Sequence, residues 1–163
     1  MRKVAMLTVL AAVAAAGCGG GGGGGTGAIG SFVGTWDYSS GTISQSCPGA
    51  APVGTTLTTS SVAISRTGNP GELQWTSNFD SCTRYLQVRG TTASMTGYAA
   101  PCGDEGFDFN NDHYVLTITP LTEVVTLSGG MMLVESASNK LDYYYDDNTV
   151  LSCTSNISNA TLY

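Results

Sequence analysis

The residues of this chain best suited to chemistry lie in an acidic stretch near its middle. Oxygen-bearing side chains are spaced along it at Asp104, Asp108, Asn110 and Asp112. Hard oxygen ligands in such a stretch suit Ca²⁺, but this is not an EF-hand, because His113 stands where the loop needs glycine. We therefore expect no cofactor, with one candidate exception: a calcium ion in a loop of another type. The alternative is a solvated acidic loop.

Nucleophilic and acid–base catalysis have few candidate residues. His113 is the only histidine, so any Ser-His-Asp or Cys-His arrangement must use it. The chain has no Gly-x-Ser-x-Gly elbow. A histidine beside Asp112 at the edge of a loop is typical of a solvated residue at the start of a strand. We therefore expect that the protein is not an enzyme.

Four of the five cysteines lie in the body of the chain. In an exported protein an even number of cysteines favours disulfides. Three pairings are possible, and we favour Cys82–Cys102, which closes a local loop, with Cys47–Cys153, which joins an early strand to the last one. Zinc binding is disfavoured because no two of these cysteines have the close spacing of a zinc site.

The fifth cysteine, Cys18, follows a short apolar run. Arg2 and Lys3 precede this run, which is the pattern of a secretory signal peptide and is too short to span a membrane. The sequence Ala15-Ala16-Gly17-Cys18 resembles the lipobox of bacterial lipoproteins. The resemblance implies that residues 1–17 are a signal peptide, that cleavage occurs before Cys18, and that its thiol is acylated.

Lipid attachment at Cys18 predicts an exported protein held at a membrane of the cell envelope. By the same resemblance, Gly19 in place of the aspartate that retains lipoproteins in the inner membrane favours the outer membrane. The alternative is an ordinary secretory signal that is cut nearby, with Cys18 incidental.

The sequence of residues 18–28 predicts a flexible tether. Gly19–Gly25 is a run of seven glycines, which have no side chains to bury and maximal backbone freedom. Such a coil spans on the order of 15 Å. We therefore expect the folded domain to sit close to the membrane surface without entering it.

The mature chain is acidic. Without the signal peptide its cations are Arg66, Arg84, Arg89 and Lys140, against twelve acidic residues, which gives a net charge of −8. No basic stripe interrupts this charge, so nucleic-acid binding is disfavoured. We expect a monomer whose partners are the membrane, through its anchor, and a small apolar ligand, a glycan or an envelope protein.

Residues 29–163 predict a single all-β domain. Apolar side chains alternate with polar ones, for example at Trp36 and Tyr38 and again at Leu73 and Trp75, which is the period of a strand with one buried face. Turn residues recur between such segments. We expect an antiparallel up-and-down meander of about 8–10 short strands, closed as a barrel in preference to a sandwich because closure removes exposed edges.

Turn signals set the expected strand boundaries. Gly129-Gly130 predicts a hairpin turn. We expect Thr42–Cys47 to pair with the first strand, Ala99–Asp112 to form a loop held by a disulfide, and a strand to end at Pro120. Ser138-Asn139-Lys140 predicts a further turn.

Two short motifs resemble those of lipocalins and related calycins. Gly34-Thr35-Trp36 on the first strand is similar to their glycine-x-tryptophan opening, and Asp142-Tyr143 is similar to part of a second motif. The resemblance implies an eight-stranded barrel whose open mouth holds a small apolar molecule. The alternative is that Trp36 is an ordinary core aromatic.

Aromatic residues are the candidate ligand contacts. They are Trp36 and Trp75, together with Tyr143 and Tyr145, which a strand would place on one face with Tyr144 on the other. The sequence thus predicts a lipid-anchored, non-catalytic module that binds a small apolar ligand or a glycan. The alternative is a structural or protein-interaction lipoprotein of the envelope that has no ligand cavity.

Overall fold

The computed structural model describes residues 27–57, 59–97, 99–109 and 112–163. The lipobox, Cys18 and the glycine run therefore lie outside the described residues. The described chain is all-β and antiparallel, as expected, apart from one four-residue helix. The elements are α1 (Gly27–Gly30), β1 (Gly34–Ser40), β2 (Thr42–Ser46), β3 (Val53–Thr56), β4 (Ser61–Arg66), β5 (Glu72–Ser77), β6 (Thr83–Arg89), β7 (Thr92–Met95), β8 (Cys102–Phe109), β9 (Asp112–Ser128), β10 (Met132–Tyr145) and β11 (Val150–Leu162).

Eight of the eleven strands form a closed ring of hydrogen-bonded neighbours. The order is β1-β4-β5-β6-β7-β9-β10-β11, and β11 pairs back onto β1 through Tyr38 and Leu162. Outside the ring, β2 pairs with β11, β3 pairs with β2, and β8 pairs with β9. We use the name sheet extension for β2, β3 and β8 together with the parts of β9, β10 and β11 that lie next to them in the sheet.

A bulge lets β9 belong to both the ring and the extension. Ser138 of β10 pairs with Thr122, whereas the next residue, Asn139, pairs with Pro120, so Leu121 is an extra residue. The inward-facing positions consequently change parity at Leu121. We predicted that a strand ends at Pro120 and that residues 138–140 form a turn. Both predictions are wrong, because β9 and β10 continue through these residues while the alternation of β9 shifts.

Two other predicted boundaries are also wrong. Thr42–Cys47 does not pair with β1, because β2 pairs with β11 and β3 instead. Gly41 permits this: a Cβ there would lie 2.7 Å from the Cβ of Ala160, so only glycine lets the chain cross so close to β11. Ala99–Asp112 is not one loop, since β8 forms an edge strand of the extension, where glycines are tolerated.

The apolar side chains form two clusters. The larger one fills the ring and includes Phe32, Trp75 and Leu133. The second lies on one face of the extension around Ile118 and Leu141 and contains both disulfides. The cysteines pair as expected, Cys47 with Cys153 and Cys82 with Cys102.

The hairpin turn expected between β9 and β10 is present. Gly129 and Gly130 both have left-handed backbone angles, with φ of 61° and 78°, which such a turn requires. Within the described ranges, no helix is long and apolar enough to cross a membrane.

Candidate functional site

A cluster of polar side chains is buried inside the ring, near the end that leads into the extension. We call it the polar cluster. The exposed fraction of each member is 6% or less, measured on the side chain for Asp80 and on the whole residue for the others. Charged side chains are almost never buried this deeply unless they are paired. Its members are Tyr38, Asp80, Arg84, Glu123, Glu135 and Asn139.

Arg84 is the centre of the polar cluster. Its guanidinium forms an ion pair with Asp80, and its Nη2 donates to Asn139 Oδ1 at 3.1 Å. Its Nε lies 3.2 Å from Glu123 Oε2. Burial opposes the charge of Arg84, but the hydrogen bond and charge of Asp80 outweigh this effect, so the pKa of Arg84 is raised. The guanidinium of Arg84 therefore contacts the β5–β6 loop through Asp80, β9 through Glu123 and β10 through Asn139.

Glu123 and Glu135 form a buried carboxyl pair beside Arg84. Burial, and then the charge of Glu135, raise the pKa of Glu123 well above its usual range, against the opposing charge of Arg84. Burial also raises the pKa of Glu135, although the hydrogen bond donated by the Tyr38 hydroxyl offsets part of this. In the described structure neither oxygen of Glu123 accepts a well-aligned hydrogen bond. The site thus favours a proton on Glu123.

This carboxyl pair predicts that stability falls as the pH rises. A group whose folded pKa is raised stabilises the fold fully below its unfolded pKa, about 4.3 for glutamate, and loses that contribution as the pH rises through the folded pKa. Each pH unit in that window costs about 1.4 kcal/mol per group. Glu123→Gln, which resembles the protonated form, should flatten the decline of the free energy of unfolding between pH 5 and pH 8, measured by urea denaturation.

The matched control is Glu72→Gln, at a partly exposed glutamate of β5. Because Glu72 is not buried, this variant should flatten the decline of the free energy of unfolding between pH 5 and pH 8 less than Glu123→Gln does. An equal slope for wild type and Glu123→Gln would contradict a raised pKa at Glu123.

A cleft lies where the ring meets the extension. Its volume is about 150 Å³. Phe79 of the β5–β6 loop forms one side, and it is half exposed. Five further lining residues belong to the sheet extension: Ile43, Leu116, Ile118, Leu141 and Tyr143.

The polar end of the cleft is formed by Asp80, Asn139 and Ser155. Two of these residues belong to the polar cluster, so the contacts of Arg84 hold them in place. Asn139 Oδ1 faces Arg84, and its Nδ2 therefore faces Ser155 Oγ, which lies 3.4 Å away. The buried charges thus orient the amide that the cleft presents to a ligand.

A second cavity adjoins the cleft on the same face, and we call it the tyrosine groove. It has a volume of about 220 Å³ and is lined by Tyr114, Tyr143, Tyr145, Gln45, Cys47 and Leu151. The ring centroid of Tyr114 lies 5.3 Å from that of Tyr143 and 5.8 Å from that of Tyr145. Cross-strand pairing of Tyr114 with Tyr145 and of Leu116 with Tyr143 brings these rings together.

The four candidate ligand contacts fall in two separate places. Tyr143 and Tyr145 lie together in the tyrosine groove, and Tyr144 points to the opposite face, as the alternation predicts. Trp36 and Trp75 lie in the apolar interior of the ring. Trp75 is completely buried, and the indole of the half-buried Trp36 donates to the carbonyl of Phe32 at 2.8 Å. The structure therefore does not join the tryptophans and tyrosines in one site.

The predicted calcium ligands are not among the side chains that the structure describes. Asn110 lies outside the described residues, and so do the side chains of Asp104, Asp108 and Asp112. Among the residues that were described, no group of three or more histidine, cysteine, aspartate or glutamate residues is placed to hold a metal ion.

Both disulfides brace the walls of the two cavities. Cys82 follows the loop that carries Phe79 and Asp80, and its bond to Cys102 ties this loop to β8. Cys47 follows β2, and its bond to Cys153 joins it to β11 at the edge of the tyrosine groove. Covalent links thus fix the parts of the site that come from loops and from the ends of strands.

The sequence analysis missed the polar cluster and Gln45. One signal was present: Arg84 shares the inward parity of Leu86, and Glu123 shares that of Val125. Charged residues at core positions of otherwise alternating strands indicate a buried ion pair. Nothing in the sequence alone shows that these strands are neighbours, so the pairing itself required the fold.

Compared with protein-family models, curated proteins and solved structures, the chain matches none of them.

Proposed function

We propose that this chain is a lipid-anchored protein of the bacterial cell envelope whose β domain binds a small ligand without transforming it. The observation that carries the proposal is the cleft, which combines an apolar wall with a few polar groups held in fixed orientation. Ligand sites of proteins have this composition. The ligand classes are those the sequence favours, a small apolar molecule or a glycan.

A closed, lipocalin-like barrel is the architecture that we propose for the ring. The eight-stranded order and the pairing of β11 with β1 support it. The ring interior is filled by Trp75, Leu133 and other core side chains. We therefore place the ligand at the mouth, where the ring meets the extension, and not deep inside.

β1, the first strand after the proposed tether, begins at the end of the ring opposite the cleft. β1 enters the ring at Gly34, which pairs with Ile64 close to the β4–β5 turn. The β5–β6 loop with Phe79 is at the other end of β5, because neighbouring strands run in opposite directions. A domain tethered at Cys18, in the outer membrane as we propose, can thus present its cleft away from the membrane.

We also propose that the protein is not an enzyme. The carboxyl pair of Glu123 and Glu135 exposes only 1% and 2% of these residues, so a substrate does not reach it. His113 is exposed, and its position in β9 puts it on the face opposite the tyrosine groove.

Binding can be tested with the full-length protein, extracted from membranes in a detergent without a sugar headgroup. Native mass spectrometry should detect a co-purified small molecule, and saturation-transfer NMR should detect fragments of benzene size at the cleft. An apo mass together with no bound fragment or sugar would contradict the binding function.

The anchor predicts that Cys18→Ala releases the protein from the membrane fraction, because without acyl chains nothing of comparable strength holds it there. Fractionation followed by immunoblotting measures the shift, which should be nearly complete. Continued sedimentation of the variant with membranes would contradict acylation at Cys18.

One observation favours the alternative of an envelope interaction protein without a ligand. Among the described strands, β3 pairs with β2 alone, and all four of its residues are exposed. A free strand edge can accept a strand from another chain. The binding experiment decides between the two candidates, because this alternative predicts an empty cleft.

A further inference from the structure

The cleft and the tyrosine groove meet at one hydrogen-bonded pair. Gln45 Nε2 donates to the Tyr143 hydroxyl at 2.9 Å, and both residues line both cavities. Burial raises the pKa of Tyr143, partly offset by this hydrogen bond, so the phenol stays protonated. A ligand that extends from one cavity into the other must cross this pair.

The polar groups that remain for a ligand are uncharged. The amide nitrogen of Gln45 is used by Tyr143, which leaves Gln45 Oε1 as an acceptor and the Tyr143 hydroxyl hydrogen as a donor. Arg84 fixes the amide of Asn139 so that its nitrogen faces the cleft side, beside the hydroxyl of Ser155. The cleft therefore offers a ligand both hydrogen-bond donors and hydrogen-bond acceptors.

Charge excludes an anionic ligand. Among the described residues that line the cleft, the carboxyl is that of Asp80, which is held by Arg84 and by the backbone N–H of Cys82, whose nitrogen lies 3.0 Å from Asp80 Oδ1. No lysine or arginine is among the described residues that line the cleft or the tyrosine groove. A phosphate or carboxylate would thus find no free cation among the described lining residues, because Arg84 is already paired with Asp80.

Polar complementarity also disfavours a purely apolar ligand. Such a molecule would exclude water from the hydrogen-bonding positions that Asn139 Nδ2, Ser155 Oγ and Gln45 Oε1 do not use within the protein, and each group left unsatisfied costs about 1–3 kcal/mol. A pyranose ring avoids this loss, because its hydroxyls donate and accept while its carbon–hydrogen face packs on apolar walls and tyrosine rings. A cavity of about 150 Å³ is large enough for a six-membered carbon ring such as benzene.

We propose that the ligand is a neutral glycan, with one sugar ring in the cleft between Phe79 and Tyr143 and the next sugar ring in the tyrosine groove. This inference rests on the proposed binding function and narrows it to one ligand class. The Gln45–Tyr143 pair sits under the glycosidic link between the two rings.

The test uses the full-length protein and five probes: cellotriose, maltotriose and chitotriose as neutral glycans, trigalacturonate as an acidic glycan, and toluene as an apolar ring. Titration calorimetry gives the Kd of each sugar, and saturation-transfer NMR follows toluene. We expect at least one neutral trisaccharide to bind. Tyr143→Ala and Gln45→Ala should each weaken it tenfold or more, about the loss of one stacking or hydrogen-bonding partner.

The matched control is Tyr144→Ala, which removes a tyrosine from the opposite face of the same strand and should leave the Kd within about twofold. Thermal melts establish that each variant is folded. If Tyr143→Ala fails to fold, Tyr143→Phe keeps the ring, removes the hydroxyl and should still weaken binding.

The outcomes separate the two proposals. Toluene binding without any neutral sugar, or binding of trigalacturonate alone, overturns the glycan assignment and leaves the binding function standing. No binding by any probe, with an apo mass, overturns both. Neutral-sugar binding that Tyr144→Ala abolishes and Tyr143→Ala does not would overturn the placement in the cleft.

Discussion

Replacing Arg84 by methionine should lower the free energy of unfolding by about 3–5 kcal/mol at pH 7, the cost of removing one partner from a buried ion pair. The change leaves Asp80 without its cation and Asn139 Oδ1 without its donor, in a site from which water is excluded. Urea denaturation measures the loss. It should be smaller at pH 5, because carboxyls with raised pKa values can then take up protons.

Two further variants test the origin of this effect. Arg89→Met changes an exposed arginine at the end of the same strand and should cost no more than about 0.5 kcal/mol. Adding Asp80→Asn to Arg84→Met removes the orphaned charge and should recover part of the loss. If Arg84→Met is no more harmful than Arg89→Met, the polar cluster does not depend on its cation.

Removing the long disulfide with Cys47→Ser and Cys153→Ser should lower the free energy of unfolding by about 4–5 kcal/mol in the loop-entropy model. The bond joins residues 106 positions apart, so it restricts most of the unfolded chain. It also ties the end of β2 to β11. Urea denaturation of the oxidised wild type and of the double variant measures the difference.

The shorter disulfide provides the comparison. Cys82 and Cys102 are 20 positions apart, and the same model assigns their bond about 3 kcal/mol. Cys82→Ser with Cys102→Ser should therefore be the milder double variant. The opposite order would show that native contacts of the β5–β6 loop, and not the entropy of the unfolded chain, dominate the value of these bonds.

The polar cluster and the cleft are one physical unit. Buried ion pairs seldom increase stability over an apolar core. Here the contacts of Arg84 fix Asp80 at one edge of the cleft and turn the amide of Asn139 toward it. We infer that the buried charges are retained for the orientation of these two groups. Arg84→Met should thus weaken ligand binding even under conditions where the variant is folded.

Local pattern determined much of the fold. The alternation at Leu73 and Trp75 predicted the buried face of β5, and the two glycines at 129 and 130 predicted the β9–β10 hairpin. The even number of cysteines and their order along the chain gave the pairing that the structure has. These features depend on neighbouring residues or on simple counting, which a single sequence contains.

Predictions failed where the chain departs from regular alternation. The extra residue at Leu121 shifts the parity of β9, so that a continuous strand has the pattern of two short ones. Thr42–Cys47 was expected to pair with the first strand, but the close contact of Gly41 with Ala160 places β2 against β11. Bulges and crossings depend on the partner strand, which local pattern does not specify.

By itself, the sequence predicted an antiparallel β domain, favoured the cysteine pairing that the structure has, and predicted the anchor at Cys18. Only the tertiary structure brought Gln45 of β2 beside Tyr143 of β10 and set Arg84 of β6 among acceptors from other elements. The physical reason is that a site of this kind is built from long-range strand pairings. Many pairings suit the same alternating pattern, and the packing of the whole ring selects one.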